Sequence, residues 1–254
     1  MKFILSIIVS SVFILNTYAK EPFIWYDDED YRPYIYKNAN GEPEGLFKEI
    51  MIEAFKRMDI PLKYEVYSWK RTQKYVKDAK ADGMVTVYTK KRSEFLIHTN
   101  PLLVAHAKIF ARSDNPQIKK IMKIKKISEF KDYKVIDYIG AGWAEESYKG
   151  LDIIWVPQNT NAFLMLANKR ADIYVAGEFI GINNIQTLIR DKPQYATNLK
   201  KLIYGKFSFV DMDFDLLIRK DSKYAYIVPI FNKTLNEMKL DGTYSHILNK
   251  YLKL

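Results

Sequence analysis

The chain has 254 residues, 48% of them apolar, with 19 tyrosines and 14 phenylalanines; that is enough to bury a sizeable core and excludes a disordered chain. It contains no cysteine, which excludes disulfides, thiolate chemistry and cysteine-based metal sites. The formal charge is +10, but an export signal at the N-terminus makes nucleic acid an unexpected partner for that surplus.

Residues 1–19 read as a cleavable secretory signal. Met1-Lys2 is a short basic start, Phe3 to Leu15 is an apolar run broken mainly by serines, and Thr17-Tyr18-Ala19 supplies small residues at the cleavage spacing. The run is too short for a comfortable membrane span. The mature chain is therefore expected to begin at Lys20, with +9 remaining once Lys2 is removed. Without cysteine there is no lipoprotein attachment point, so the expected location is the periplasm.

Phe23-Ile24-Trp25-Tyr26 is the first predicted strand. Asp27-Asp28-Glu29-Asp30-Tyr31-Arg32-Pro33-Tyr34 follows as a loop at its C-terminal end, where open α/β sheets bind ligands. The four acids lack a calcium-loop spacing and read as solvated or as loosely facing a cationic ligand. From Gly45, apolar residues at Leu46, Phe47, Ile50, Met51, Ala54, Phe55 and Met58 predict an amphipathic helix. Leu62 to Val66 reads as a strand, and the stretch after Trp69 as a helix to about Lys80. Met84 to Val87 is the next strand. This order is the parallel βαβ arrangement.

The stretch from Asp82 to Arg92 carries the clearest chemistry. A buried strand ends in Thr89, and Arg92 follows three residues later, on the same side of any helical turn beginning there. A hydroxyl, free backbone N–H groups and a guanidinium fork would then meet in one volume suited to a carboxylate.

Leu102 to Ala111 predicts a strand. The segment Lys119-Lys120, Lys123 and Lys125-Lys126, interleaved with isoleucines, reads as a solvated face, with a docking surface as the alternative. A second α/β set spans Tyr133 to Ile139, Ile153 to Val156, a helix through Leu166, Ala171 to Ala176 and a helix over Phe179 to Ile189. A late strand, Asp215 to Arg219, precedes a helix that Ser222 could cap and that reaches about Leu240. Thr243 to Tyr251 forms the last helix.

Several spaced motifs together resemble the family 3 periplasmic solute-binding proteins, which bind polar amino acids for ABC importers. They are Leu216 to Asp221, Asn232 to Leu235, Asp241-Gly242-Thr243-Tyr244, Tyr31-Arg32-Pro33-Tyr34, the Gly41-to-Gly45 turn, Thr89-x-x-Arg92 and Lys169-Arg170-Ala171-Asp172. The likeness spans residues 22–252. It implies an α/β, two-lobe periplasmic-binding-protein-like fold, each lobe a central sheet flanked by helices, joined by a two-segment hinge. Lobe 1 would comprise residues 20–104 and 212–254 and lobe 2 residues 105–211, with crossings near 104–106 and 210–213.

The resemblance implies that Thr89 and Arg92 hold a ligand carboxylate and that Tyr31, Tyr34 and Trp69 pack against the ligand body. The glycine turn Gly140-Ala141-Gly142-Trp143 lacks the hydroxyl residue usual in the family, leaving backbone N–H groups at Gly142 and Trp143. The family's amine-binding aspartate falls at Gly177, with Glu178 next in the chain. Arg71 adds a second positive charge near the cleft by sequence position. These departures point away from an ordinary α-amino acid, toward a dicarboxylate or another small anion; the resemblance implies a small anionic solute, an amino acid or related carboxylate, delivered to an ABC permease by a monomer. The alternative is a soluble sensing subunit for a membrane receptor or kinase, and a further one is the binding module of a glycan-cleaving system. His98, His106 and His246 have no metal-ligand spacing, and no nucleophile elbow or P-loop occurs, so neither an enzyme nor a cofactor is expected.

Overall fold

The computed structural model describes residues 20–252; the signal assigned to residues 1–19 lies outside them. β1 (Phe23–Asp28) leads into an antiparallel ribbon of β2 (Asp30–Tyr31), β3 (Ile35–Lys37) and β4 (Pro43–Glu44). Next come α1 (Leu46–Arg57), β5 (Leu62–Tyr67), α2 (Trp69–Lys77), β6 (Gly83–Val87) and the one-turn α3 (Lys90–Ser93). The long β7 (Leu96–Arg112) precedes α4 (Ile118–Ile121), β8 (Val135–Tyr138), α5 (Gly142–Ser147) and β9 (Ile153–Val156). The chain continues through α6 (Asn159–Ala167), β10 (Ile173–Gly177), α7 (Glu178–Asp191), α8 (Ala196–Leu199) and β11 (Leu202–Tyr204). It closes with β12 (Val210–Arg219), α9 (Val228–Leu240) and α10 (Thr243–Leu252).

The main sheet runs β5-β1-β6-β12-β7-β10-β8-β9, with β11 also on β7. Two parallel sets lie on either side of β7: β1 pairs with β5 and β6, and β8 pairs with β9 and β10. β7 belongs to both. Its first part pairs with β12, from Leu96 opposite Arg219 to Ala107 opposite Val210, and its last part pairs with β10 and β11. No helix among the described residues is long and apolar enough to cross a membrane.

The apolar face predicted for α1 is the face it buries, with Leu46, Phe47, Ile50, Met51, Ala54 and Phe55 all in the core. A second cluster, around Phe110, Phe163, Leu166, Tyr174 and Leu188, fills the space between β7, β10, α6 and α7. Ile121 and Ile124 are buried while the five lysines around them are exposed, as a solvated basic face requires.

Three boundaries differ from the sequence reading by about five residues or more. β7 begins at Leu96 rather than Leu102 because Pro101 sits where the β7–β12 register shifts, a place that tolerates a missing N–H. β12 begins at Val210, five residues early; its alternation of Asp211 and Asp213 with Met212 and Phe214 is a one-sided strand pattern. Ser222 accepts from the Tyr224 N–H in a 3₁₀ approach, and the α-helix itself starts at Val228. The acidic stretch after Phe23 is also not all loop: Asp27 and Asp28 are buried residues of β1, at 2% and 8% exposure.

Candidate functional site

The C-terminal ends of β1, β6, β8 and β10 converge, and β12 crosses beside them. Between them lies a cavity of about 40 Å³, whose wall includes Tyr31, Trp69, Thr86, Arg92, Asp137 and Gly142. Arg92 and the two turn glycines, Gly140 and Gly142, also border a groove of about 1060 Å³ on the other side. They form the partition between inner cavity and outer groove.

Arg92 is 5% exposed. Its position follows from the local fold: the Thr89 hydroxyl accepts the Arg92 N–H at 3.3 Å and so caps the turn that carries the arginine. Nη1 donates to the Thr86 hydroxyl at 3.2 Å and to the Val87 carbonyl at 2.6 Å. Nη2 donates to Gln73 Oε1 at 3.0 Å and to the Gly140 carbonyl at 3.3 Å. The guanidinium lies 5.4 Å from the centre of the Trp69 ring, and Trp69 Nε1 donates to the same Gly140 carbonyl at 2.7 Å. Burial pushes Arg92 down to about 10; at neutral pH it remains a cation.

The glycine turn is shaped by these contacts. Gly140 has φ of +86°, and a Cβ there would strike the Gln73 amide. A Cβ on Gly142 would lie 2.8 Å from Arg92 Cζ. The first N–H groups of α5, at Gly142 and Trp143, have no helix carbonyl to bond.

Of the residues singled out from sequence, Arg92, Trp69, Tyr31, Gly142 and Trp143 share the inner cavity. Thr89 borders the outer groove, with its hydroxyl on the backbone of Arg92; Thr86 is the hydroxyl inside. Tyr34 is a core residue at 1% exposure, packed on Phe47 and Phe214 with ring centres 5.2 and 5.8 Å away. Arg71 is exposed and lies over Tyr67 and Tyr75, donating to the Tyr75 hydroxyl at 2.6 Å. Glu178 faces Lys108 at 3.3 Å and does not line the cavity.

Two carboxylates were not singled out as site residues, although Asp28 belongs to the acidic run read as solvated or as loosely facing a cationic ligand. Asp137 lines the inner cavity, and Asp28 lines a smaller recess of about 20 Å³ that shares Tyr31, Trp69, Thr86 and Tyr138 with it. Burial raises both well above the ordinary carboxylate range, and raises Asp27 to about 7. Such carboxyls bind protons more readily folded than unfolded, so their stabilisation is complete below the unfolded range and is lost as pH rises through the folded pKa. Asp114 and Asp241, held low by their partners, stay ionised in both states above about pH 5 and do not enter. The ligand-free protein is expected to unfold at least ~3 °C higher at about pH 5 than at about pH 8, one kcal/mol being ~2–4 °C at this size. In thermal melts Asp28→Asn should shrink that difference; an unchanged difference would show that Asp28 does not titrate in this window.

A two-sided sheet joined by crossing strands, with a buried cation in the cavity at its strand ends, defines a solute-binding architecture. The pattern of bacterial extracellular solute-binding proteins, family 3, matches residues 24–254, and the chain belongs to that family. It is 23% identical over 231 residues to the lysine/arginine/ornithine-binding periplasmic protein of Escherichia coli (strain K12), covering 88% of this chain and 85% of that one. Among solved structures it resembles a histidine kinase sensor domain with similarity to periplasmic binding proteins, with a TM-score of 0.76 at 21% identity over 92% of this chain and 96% of that one. It also resembles an ancestral arginine-binding protein bound to arginine, with a TM-score of 0.72 at 19% identity over 91% and 98%. The fold is the two-lobe α/β fold of periplasmic binding proteins.

Proposed function

We propose that the protein captures an amino acid or closely related small carboxylate between its lobes and presents it to a membrane partner, acting as a binding protein rather than an enzyme. The observation that carries this reading is the buried Arg92 guanidinium in the cavity wall, held on both sides by neutral acceptors only. A ligand carboxylate would replace Gly140 and Gln73 on Nη2, gaining a charged partner for the fork and the nearby N–H groups of α5.

The cavity of about 40 Å³ holds only a few water molecules. Entry therefore requires the lobes to part and reclose around the solute. β7 and β12 would serve as the two crossings, and their continuous pairing from Leu96–Arg219 to Ala107–Val210 supports a division into residues 20–104 with 212–254 and 105–211. Asp28 beside the cavity accepts the Asp30 N–H at 3.0 Å and forms no ion pair among the described residues, which supports a cationic group on the solute, in keeping with relatives named for arginine and lysine. This reading is preferred to the dicarboxylate suggested by sequence. A rim of six lysines against four acids around the outer groove favours the second reading, a purely anionic solute.

The natural partner is an ABC permease in the inner membrane, with the protein a periplasmic monomer. The likeness to a kinase sensor domain supports a receptor as the alternative partner. A thermal-shift screen with L-arginine, L-lysine, L-ornithine, L-glutamate, succinate and citrate tests the ligand class. A true ligand at 100 times its Kd should add about 2.7 kcal/mol of stability. Small-angle scattering with the best binder should show a smaller radius of gyration. If no amino acid or carboxylate shifts the melt, the reading fails; a shift without compaction would leave binding but remove closure.

A further inference from the structure

We propose that Asp137 takes the ammonium group of the bound solute and makes the cavity selective for zwitterions over plain carboxylates; this rests on the amino-acid reading above. Among the described residues the inner cavity is lined by two charged side chains, Arg92 and Asp137. They arrive from different parts of the sheet: Arg92 from the turn after β6, Asp137 from β8, where it pairs with Trp155 of β9. One guanidinium and one carboxyl group around one cavity match the head group of an amino acid.

The state of Asp137 separates this role from a purely structural one. Asp27, buried to the same 2%, shows what a structural carboxylate looks like here. It accepts from Trp25 Nε1 at 2.8 Å, the Asp28 N–H at 2.8 Å and the Val85 N–H at 3.0 Å. Asp137 has a single hydrogen bond, Oδ1 accepting the Tyr138 N–H at 2.8 Å. No described lysine, arginine or histidine pairs with it. A buried carboxylate with so little compensation is costly, and a ligand cation is the group that would compensate it. Burial holds its pKa up, and a ligand ammonium beside it would draw the group back to its ionised form.

The neighbouring strand offers no competitor. β10 ends at the side-chain-free Gly177, which lines the cavity, and the next residue, Glu178, is turned to Lys108. Tyr31, Tyr138 and Tyr174 share the cavity with Asp137 and bring aromatic surface suited to an ammonium. Asp28, in the adjoining recess, is left for a cation further along the solute.

Titration calorimetry with L-arginine and with 5-guanidinopentanoate, which lacks only the α-amino group, tests the assignment. Wild type should prefer L-arginine by about tenfold to a hundredfold, the worth of a hydrogen bond to a charged group. Asp137→Asn, which keeps the shape and the acceptor for Tyr138, should erase that preference, whereas Asp28→Asn should weaken both compounds together. A wild type that binds both compounds equally overturns the proposal without recourse to any variant. So does an Asp137→Asn protein that keeps the full preference. If wild type binds neither compound but binds succinate or citrate, the zwitterion assignment fails while Arg92 as carboxylate anchor survives. If it binds no carboxylate at all, both fall.

Discussion

Replacing Arg92 by alanine is expected to weaken binding of the cavity's solute roughly thirtyfold to a few thousandfold. That is the ~2–5 kcal/mol cost of removing one partner from a buried charged pair, at ~1.4 kcal/mol per decade. Arg92→Lys should recover only part of the loss, because an ammonium cannot span Thr86 and Val87 on one side and Gln73 and Gly140 on the other. Arg92→Ala should also cost ~1–3 kcal/mol of stability, since the Val87 carbonyl loses its charged donor inside the protein. Arg71→Ala is the matched control: its guanidinium is committed to Tyr67 and Tyr75 at the surface, and binding should be unchanged. Calorimetry decides the matter. An Arg92→Ala protein that binds within about threefold of wild type would remove the anchor from Arg92.

The helix that presents Trp69 explains both what the sequence revealed at this site and what it hid. Trp69 faces the cavity, so the 100° step per residue turns Arg71 some 200° away, toward solvent. The same spacing brings Gln73, four residues on, back to the Trp69 side, where it meets Arg92. Helical phase alone could have exchanged the one candidate for the other. Thr89-x-x-Arg92 was legible because cap and arginine are local in the chain, but the polar partner inside the cavity is Thr86, which reads as an ordinary strand residue.

Asp137 left a fainter signal: a lone acid within Val135-Ile136-Asp137-Tyr138, near the C-terminal end of a strand that is otherwise built for burial. Asp28 was hidden by company. In a run of four acids solvation is the simplest expectation, yet the hydrogen-bonded register of β1 against β5 carries Asp27 and Asp28 inward. Glu178 illustrates the converse. Its neighbour in the chain reaches the cavity, and Lys108, more than 60 residues away in sequence, holds Glu178 elsewhere. Such pairings depend on which strands meet across β7, and no local pattern encodes them.

β7 also sets the largest effect expected on stability. Phe110, fully buried near its end, packs on Phe163 and Tyr204 with ring centres 5.4 and 5.3 Å away. Truncating it to alanine should cost ~3–5 kcal/mol. Its third neighbour gives the sharper test. Gly181 lies inside α7, where alanine would ordinarily gain about 1 kcal/mol through helix propensity. A Cβ at that position would instead run into the Phe110 ring. The ring is hemmed in on its other sides, so it cannot yield without disturbing the second core cluster. Overpacking of this kind costs ~1–3 kcal/mol, enough to reverse the sign of the propensity gain. Gly181→Ala should therefore lower the urea midpoint, and Phe110→Leu in the same chain should restore part of the loss, the two effects being coupled rather than additive. A higher midpoint for Gly181→Ala alone would mean that α7 does not seat its glycine on Phe110, and that the packing between α7 and β7 is looser than this contact requires.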